Sequence, residues 1–298
     1  MSLGSKVLVA TDLSEGADEA IRQGHERAQA AGGELVVCHV VPNALRYNPL
    51  FPQRNTPDAE GMVALERKVA DATEARVVAV TGRASGSFRV LIDDGAPDAA
   101  IVRMADEVGS TLVVVASRGL TGLDRLLLGS VAERVVRYAH CPVLVARPRT
   151  KTGRVLVATD FSEAAAGAVA AAGEEASVLG AKVTLMHSVD VLPDPAFGLG
   201  APFGASMVIP PKELLDEARQ AAVKALEELR GRFHLDADVL SVEGNAASAI
   251  LDAARDLPAE EIIVATRGRT GIARMVLGSV AERVVAHAPC PVLAVRRA

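Results

Sequence analysis

The chain has 298 residues, half of them hydrophobic and only 3% aromatic, with a net charge of −5 and an isoelectric point near 5.8. At roughly 150 residues per domain the length accommodates two domains, each with its own aliphatic core. The acidic balance argues against DNA or RNA as a partner, and the scarcity of aromatics argues against base-stacking platforms.

No apolar run approaches the roughly 18 residues of a membrane span, so no membrane is expected as a partner. A strand pattern begins at Lys6, which leaves no room for a signal peptide. Three unpaired-looking cysteines, Cys38, Cys141 and Cys290, suggest a reducing compartment, and the expectation is a cytoplasmic protein. Cys141 and Cys290 occupy matching places in two "CPVL" segments and read as small buried side chains rather than metal or redox groups.

In chain order, "VLVA" (Val7–Ala10) is a short buried strand, and an Ala-rich helix follows to about Ala31. "ELVVCHVV" (Glu34–Val41) is the second strand, and after a Pro-rich loop a long helix starts near Pro57. Within it "RVVAVTGR" (Arg76–Arg83) has the β-branched content of a strand, but its counterpart "ALEELRGR" (Ala225–Arg232) is plainly helical, so helix is expected. "FRVLIDD" (Phe88–Asp94), "TLVVVA" (Thr111–Ala116) and "PVLVAR" (Pro142–Arg147) are the third, fourth and fifth strands. Between the third and fourth, a helix opens on Pro97. Apolar strands alternating with helices describe an α/β fold, a parallel sheet covered by helices on both faces.

The whole pattern occurs twice. "KVLVATDLSE" (Lys6–Glu15) returns as "RVLVATDFSE" (Arg154–Glu163), and "AHCPVLVAR" returns as "APCPVLAVR". The seam is "PRTKTG" (Pro148–Gly153), which sets domains at 1–148 and 153–298. The halves differ most after the second strand, where both carry long Pro-rich loops of the kind that form lids or binding surfaces.

The most distinctive repeated stretch is "SRGLTGLDRLLLGSVAERVV" (Ser117–Val136), matched by "TRGRTGIARMVLGSVAERVV" (Thr266–Val285). It follows an apolar strand and ends at a helix start, where open parallel sheets bind ligands. Gly119 would let the backbone approach a ligand, and Gly129-Ser130 would offer the amides of a helix N-terminus to an anion. Leu123, Leu126, Leu127 and Leu128 would pin the loop to the core. Arg118 and Arg267 are the candidate phosphate partners, with Arg125 and Arg274 as weaker ones that serve equally well on a solvated helix face. A competing account is simple capping, because Ser130 to Glu133 and Ser279 to Glu282 both read Ser-x-x-Glu. Neither a P-loop nor a dinucleotide Gly-x-Gly-x-x-Gly is present.

With these motifs the chain resembles a tandem universal stress protein. Nucleotide-binding members of that family carry Gly-x-x-Gly, nine residues, then Gly-Ser or Gly-Thr. Here the second glycine is Gly119 or Gly268 and the Gly-Ser pair is Gly129-Ser130 or Gly278-Ser279, while Ala116 and Ala265 replace the first glycine. The resemblance implies two doubly wound domains with strand order 3-2-1-4-5, and pairing of the halves through their fifth strands, with a further homodimer as an added expectation. It also implies an ATP, ADP or AMP site in each half, serving a stress-response sensor or regulator. In the first half that site would comprise Ala10, Thr11, Asp12, Val40, Ala116, Arg118, Gly119, Gly129, Ser130 and Val131. In the second it would comprise Ala158, Thr159, Asp160, Ser188, Ala265, Arg267, Gly268, Gly278, Ser279 and Val280. Asp12 also reads as a helix N-terminal charge, and His39 and His187 read as structural.

Two alternatives stand beside nucleotide sensing. One is slow ATP hydrolysis, with Asp12 or Asp160 orienting Mg²⁺ or water. The other is a ligand-free dimerisation scaffold in which the glycines only shape the loop. No Ser/His/Asp, Cys/His or metal-ligand constellation is legible, so no catalytic residue is assigned.

Overall fold

The computed structural model describes residues 2–42, 59–118, 128–189, 212–268 and 277–296. Gly119, Arg125, Arg274, Leu123, Leu126, Leu127 and the two long loops after the second strands lie outside the described residues.

The first half runs β1 (Lys6–Ala10), α1 (Glu15–Ala30), β2 (Glu34–Pro42), α2 (Ala59–Thr81), β3 (Arg89–Gly95), α3 (Pro97–Val108), β4 (Leu112–Ala116), α4 (Ser130–Tyr138) and β5 (Val143–Ala146). The second half repeats it as β6 (Arg154–Ala158), α5 (Glu163–Leu179), β7 (Lys182–Val189), α6 (Lys212–Arg232), β8 (Ala237–Glu243), α7 (Ala246–Asp256), β9 (Glu261–Ala265), α8 (Ser279–His287) and β10 (Val292–Val295). The segment Arg76–Thr81 is the last part of α2, so the helical counterpart was the better guide than β-branched content. Tertiary placement overrides a weak strand propensity there: Val77 is fully buried under the sheet at helical spacing from the buried Thr73.

Val7, Leu8 and Val9 are wholly buried, as are Val155, Leu156 and Val157, because helices cover both faces of the central strands. α1, α2, α5 and α6 pack on one face, with Ala20, Ile21, Val169 and Leu226 in the core. α3, α4, α7 and α8 pack on the other, with Ile101, Val135, Ile250 and Val284. Gly24 is required by close approach, since a Cβ there would stand 2.3 Å from Val9 Cγ2. Proline at the start of α3 and left-handed Gly109 just past its end are the start and stop signals that the residue types predict.

Each half is parallel in the order 3-2-1-4-5, and the ten strands form one sheet: β3-β2-β1-β4-β5-β10-β9-β6-β7-β8. At its centre β5 and β10 run antiparallel, with Leu144 opposite Leu293 and Val145 opposite Val292. Pro142 and Pro291 precede these two strands, and their carbonyls accept from Val113 and Ile262 at 3.0 Å. They therefore sit in the middle of the sheet, whose outermost strands among the described residues are β3 and β8.

Candidate functional site

Strand order reverses between β1 and β4, and again between β6 and β9. Loops leaving the carboxyl ends of these strands diverge there and leave a crevice.

The loop after β6 is fixed by its own side chains. Thr159 Oγ1 accepts from the Phe161 amide at 3.0 Å, and Asp160 Oδ1 accepts from the Ser162 amide at 3.0 Å. Phe161 sits between them in the left-handed region at φ 62°, a conformation that costs a non-glycine residue about 1 kcal/mol or more. The loop after β1 is built alike: Thr11 accepts from Leu13, Asp12 accepts from Ser14, and Leu13 has φ 64°. From the neighbouring strand, His187 Nδ1 donates to the Thr159 carbonyl at 2.7 Å and His39 Nδ1 to Thr11 at 3.0 Å. Burial holds His39 below the ordinary imidazole range, with the Thr11 carbonyl pulling the other way. Both histidines are struts for the loop, and Phe161 packs on His187 with ring centroids 4.4 Å apart.

The helix beyond the glycine stretch starts differently from the capping box that Ser-x-x-Glu suggests. Gly129 and Gly278 are the N-cap residues, and among the described residues no side chain caps either helix. The glycine amide is drawn back to the end of the preceding strand, Gly129 to the Ser117 carbonyl and Gly278 to the Thr266 carbonyl, each at 2.8 Å. That tie makes glycine the last extended residue, so Ser130 and Ser279 are already helical and cannot reach back as caps. Glu133 and Glu282 turn instead toward Arg137, at 2.9 and 3.5 Å. A helix N-terminus without a capping side chain keeps its partial positive charge available.

These parts meet in the second half around a cavity of about 310 Å³. Ala158, Thr159, Asp160, Ser188, Ala265, Arg267, Gly268, Gly278, Ser279 and Val280, the ten residues singled out by sequence, all line it. Ala165, Met186, His187, Ala246, Ile250, Val264 and Ala281 line it too and were not singled out. Met186 could have been inferred, since a strand residue two before Ser188 faces the same side. Ala246 and Ile250 could not, because they lie on α7, which packs on β7 and α8 and is remote in sequence from both loops.

Gly268 lies against Asp160: a Cβ would stand 2.7 Å from Oδ2. Arg267 is close enough to Arg296 to help burial push that guanidinium below its ordinary value, so cationic charge gathers at this end of the sheet.

A model of the universal stress protein family matches residues 5–147 and again 151–296. The chain belongs to the universal stress protein family. Among its relatives is a universal stress protein of Thermus aquaticus, 38% identical over 142 residues, covering 48% of this chain and 97% of that one. A universal stress protein of Mycolicibacterium smegmatis is 28% identical over 310 residues and covers 97% of this chain and 96% of its own. The crystal structure of a universal stress protein from Archaeoglobus fulgidus aligns over 99% of both chains with a TM-score of 0.67 at 21% identity, a likeness of fold.

In the first half of this universal stress protein, Ala10 and Ala116 end adjacent strands, and Thr11, Asp12, Val40, Arg118, Gly129, Ser130 and Val131 take places equivalent to the lining residues above. Ala116 and Ala265 are not left-handed, so alanine is sterically acceptable where other members have glycine. Cys38 stands where Met186 stands in the second half, and burial pushes its thiol up to about 12, which makes it inert. Among the described residues no group of three or more His, Cys, Asp or Glu is placed to hold a metal, and no helix is long and apolar enough to cross a membrane.

Proposed function

We propose that this universal stress protein binds an adenine nucleotide (ATP, ADP or AMP) in each of two units, 1–148 and 153–298, and acts as a sensor or regulator of the stress response. The observation that carries the reading is the uncapped start of α8, opening into a cavity that also holds Asp160, Arg267 and the strand end Met186–Ser188. The amides after Gly278 and the Arg267 guanidinium would take phosphate oxygens. Asp160 Oδ2 would accept from ribose hydroxyls, and the apolar wall of Met186, Ile250 and Val264 would take the base. A volume near 300 Å³ lies at the lower end of those that enclose small ligands.

A magnesium ion would find one carboxylate there, Asp160, whose Oδ1 already accepts from Ser162. It would arrive on the phosphates rather than in a protein cage. The β5–β10 pairing would join the two units in solution, and the three free cysteines suit a reducing cytoplasm.

Calorimetry with ATP, ADP and AMP tests the reading. Binding is expected to saturate in the wild type and to weaken at least tenfold in Gly129→Val/Gly278→Val, a loss of about 1.4 kcal/mol. Neither glycine has a left-handed φ, and a Cβ would stand 3.4 Å and 3.3 Å from the nearest carbonyls, so the double variant should fold. Undiminished binding in that folded variant would place any nucleotide elsewhere.

A further inference from the structure

The two halves meet on α1 and α5 through a cluster of buried charge. β6 begins 148 residues after β1, and Glu175 lies 148 residues after Arg27, so the two occupy the same position of the repeat with opposite charge. Arg27 is 1% exposed, Glu175 1% and Glu261, the first residue of β9, 0%. Arg27 Nη2 donates to Glu175 Oε2 at 2.7 Å and to Glu261 Oε2. One guanidinium therefore serves two carboxyl groups, and the other oxygen of each, Glu175 Oε1 and Glu261 Oε1, is buried without a hydrogen-bond partner. Two orphaned acceptors cannot satisfy each other unless a proton lies between them, and each would otherwise bear its full desolvation cost.

We infer that Glu261 is a neutral carboxylic acid that donates its hydrogen to Glu175, so that the joint between the two halves of this chain is a binding site for a single proton. The proton would satisfy both oxygens at once, because both carboxyl groups are gathered on the same nitrogen, Arg27 Nη2. It also balances the charge: one guanidinium offsets one carboxylate, whereas two ionised carboxylates on Arg27 would leave a net negative charge under the sheet.

One further cation acts on Glu261, and it is already engaged. From the linker Arg149 reaches Glu260 at 3.3 Å and Glu26 of α1 at 2.9 Å, so its charge is shared between two carboxylates and its pull on Glu261 is weaker than that of Arg27. Before β10 stands Cys290, whose buried thiol is pushed up to about 12, partly by Glu261. Burial, followed by the opposing pull of Arg27 and the repulsion from Glu175, raises the Glu261 carboxyl from its ordinary 4.5 to about 8. A carboxyl raised on folding stabilises fully below its unfolded value, and that contribution fades as pH climbs through the folded one.

Thermal unfolding of the full chain from pH 4.5 to beyond the folded value of about 8 reads this out, compared with Glu261→Gln and Glu175→Gln. The side-chain amide that Glu261→Gln introduces can donate to Glu175 as the acid does but cannot ionise. The wild-type Tm should fall relative to Glu261→Gln as pH rises, and above pH 8 the variant should be the more stable protein. At neutral pH the infrared carbonyl stretch of a protonated carboxyl should be present in the wild type and lost in both variants, since in Glu175→Gln the remaining acid ionises against Arg27. A wild type without that band overturns the proposal, and so does a Glu261→Gln protein whose Tm follows the wild-type slope. Should either variant fail to fold, the wild-type band and the other variant still decide.

Discussion

Gly268 shows how a residue type can be picked out by sequence for a reason the structure then replaces. Glycine suggests a left-handed turn, yet Gly268 is not left-handed; what it lacks is room, with Asp160 Oδ2 2.7 Å from where a Cβ would stand. Asp160 cannot simply swing away, because Oδ1 is held by the Ser162 amide. Gly268→Ala should therefore cost about 1–3 kcal/mol in urea unfolding, as overpacking does. Gly278→Ala, whose Cβ would stand 3.3 Å from the Thr266 carbonyl, should cost less than about 1 kcal/mol. Equal costs for the two would refute the packing argument. The strain at Leu13 and Phe161 could not have been read at all. Leucine and phenylalanine are poor left-handed residues, and the conformation is imposed by the threonine and aspartate oxygens that take the next two amides. Those threonines and aspartates were legible through the family resemblance, since Asp12 by itself also reads as a helix N-terminal charge.

Among the elements, α4 and α8 carry the most information. Their Ser-x-x-Glu starts imitate a capping box, and a single hydrogen bond from the glycine before each serine moves the helix start by one residue. Periodicity cannot resolve a shift of that size, since helix ends are uncertain by one or two residues. Their other ends are held across the seam. Arg296, just past β10, donates to the Ala139 carbonyl at 2.6 Å and the Arg137 carbonyl at 2.9 Å at the end of α4. Arg147, just past β5, donates to the Val285 carbonyl of α8. A cation on the last carbonyls also opposes the negative end of the helix dipole. Removing this fork in Arg296→Ala should cost about 1.5–3 kcal/mol by denaturant titration, the range for hydrogen bonds to a charged group. Arg296→Lys should recover only part, because an ammonium on a flexible stem does not span two carbonyls as a planar guanidinium does. Full recovery by lysine would reduce the interaction to charge alone.

On the scale of the molecule, two cores lie on opposite faces of one sheet, and each runs unbroken from one half into the other. Leu144 and Ala146 share a core with Leu293 and Val295, while Val143 and Val145 share the opposite one with Val292 and Ala294. The repeat made two similar units legible and the alternation of strand and helix made a covered parallel sheet legible, while the strand order followed only from the family resemblance. It could not reveal Arg27, Glu175 and Glu261, which look like ordinary helix and strand-edge charges until the halves are brought together. A sheet closed at β5 and β10 puts its most protected hydrogen bonds at the centre and its least protected at β3 and β8. Native-state hydrogen exchange should then find the amides of residues 143–146 and 292–295 as slow as those of β1 and β6. The Arg89–Gly95 and Ala237–Glu243 strands, each paired on one side only among the described residues, should exchange faster. If instead the two central strands exchanged as quickly as β3 and β8, each half would keep its own five-stranded sheet in solution. The buried charges of Arg27, Glu175 and Glu261 would then have to find water, which is why the exchange rates of β5 and β10 and the protonation of Glu261 should change together with pH.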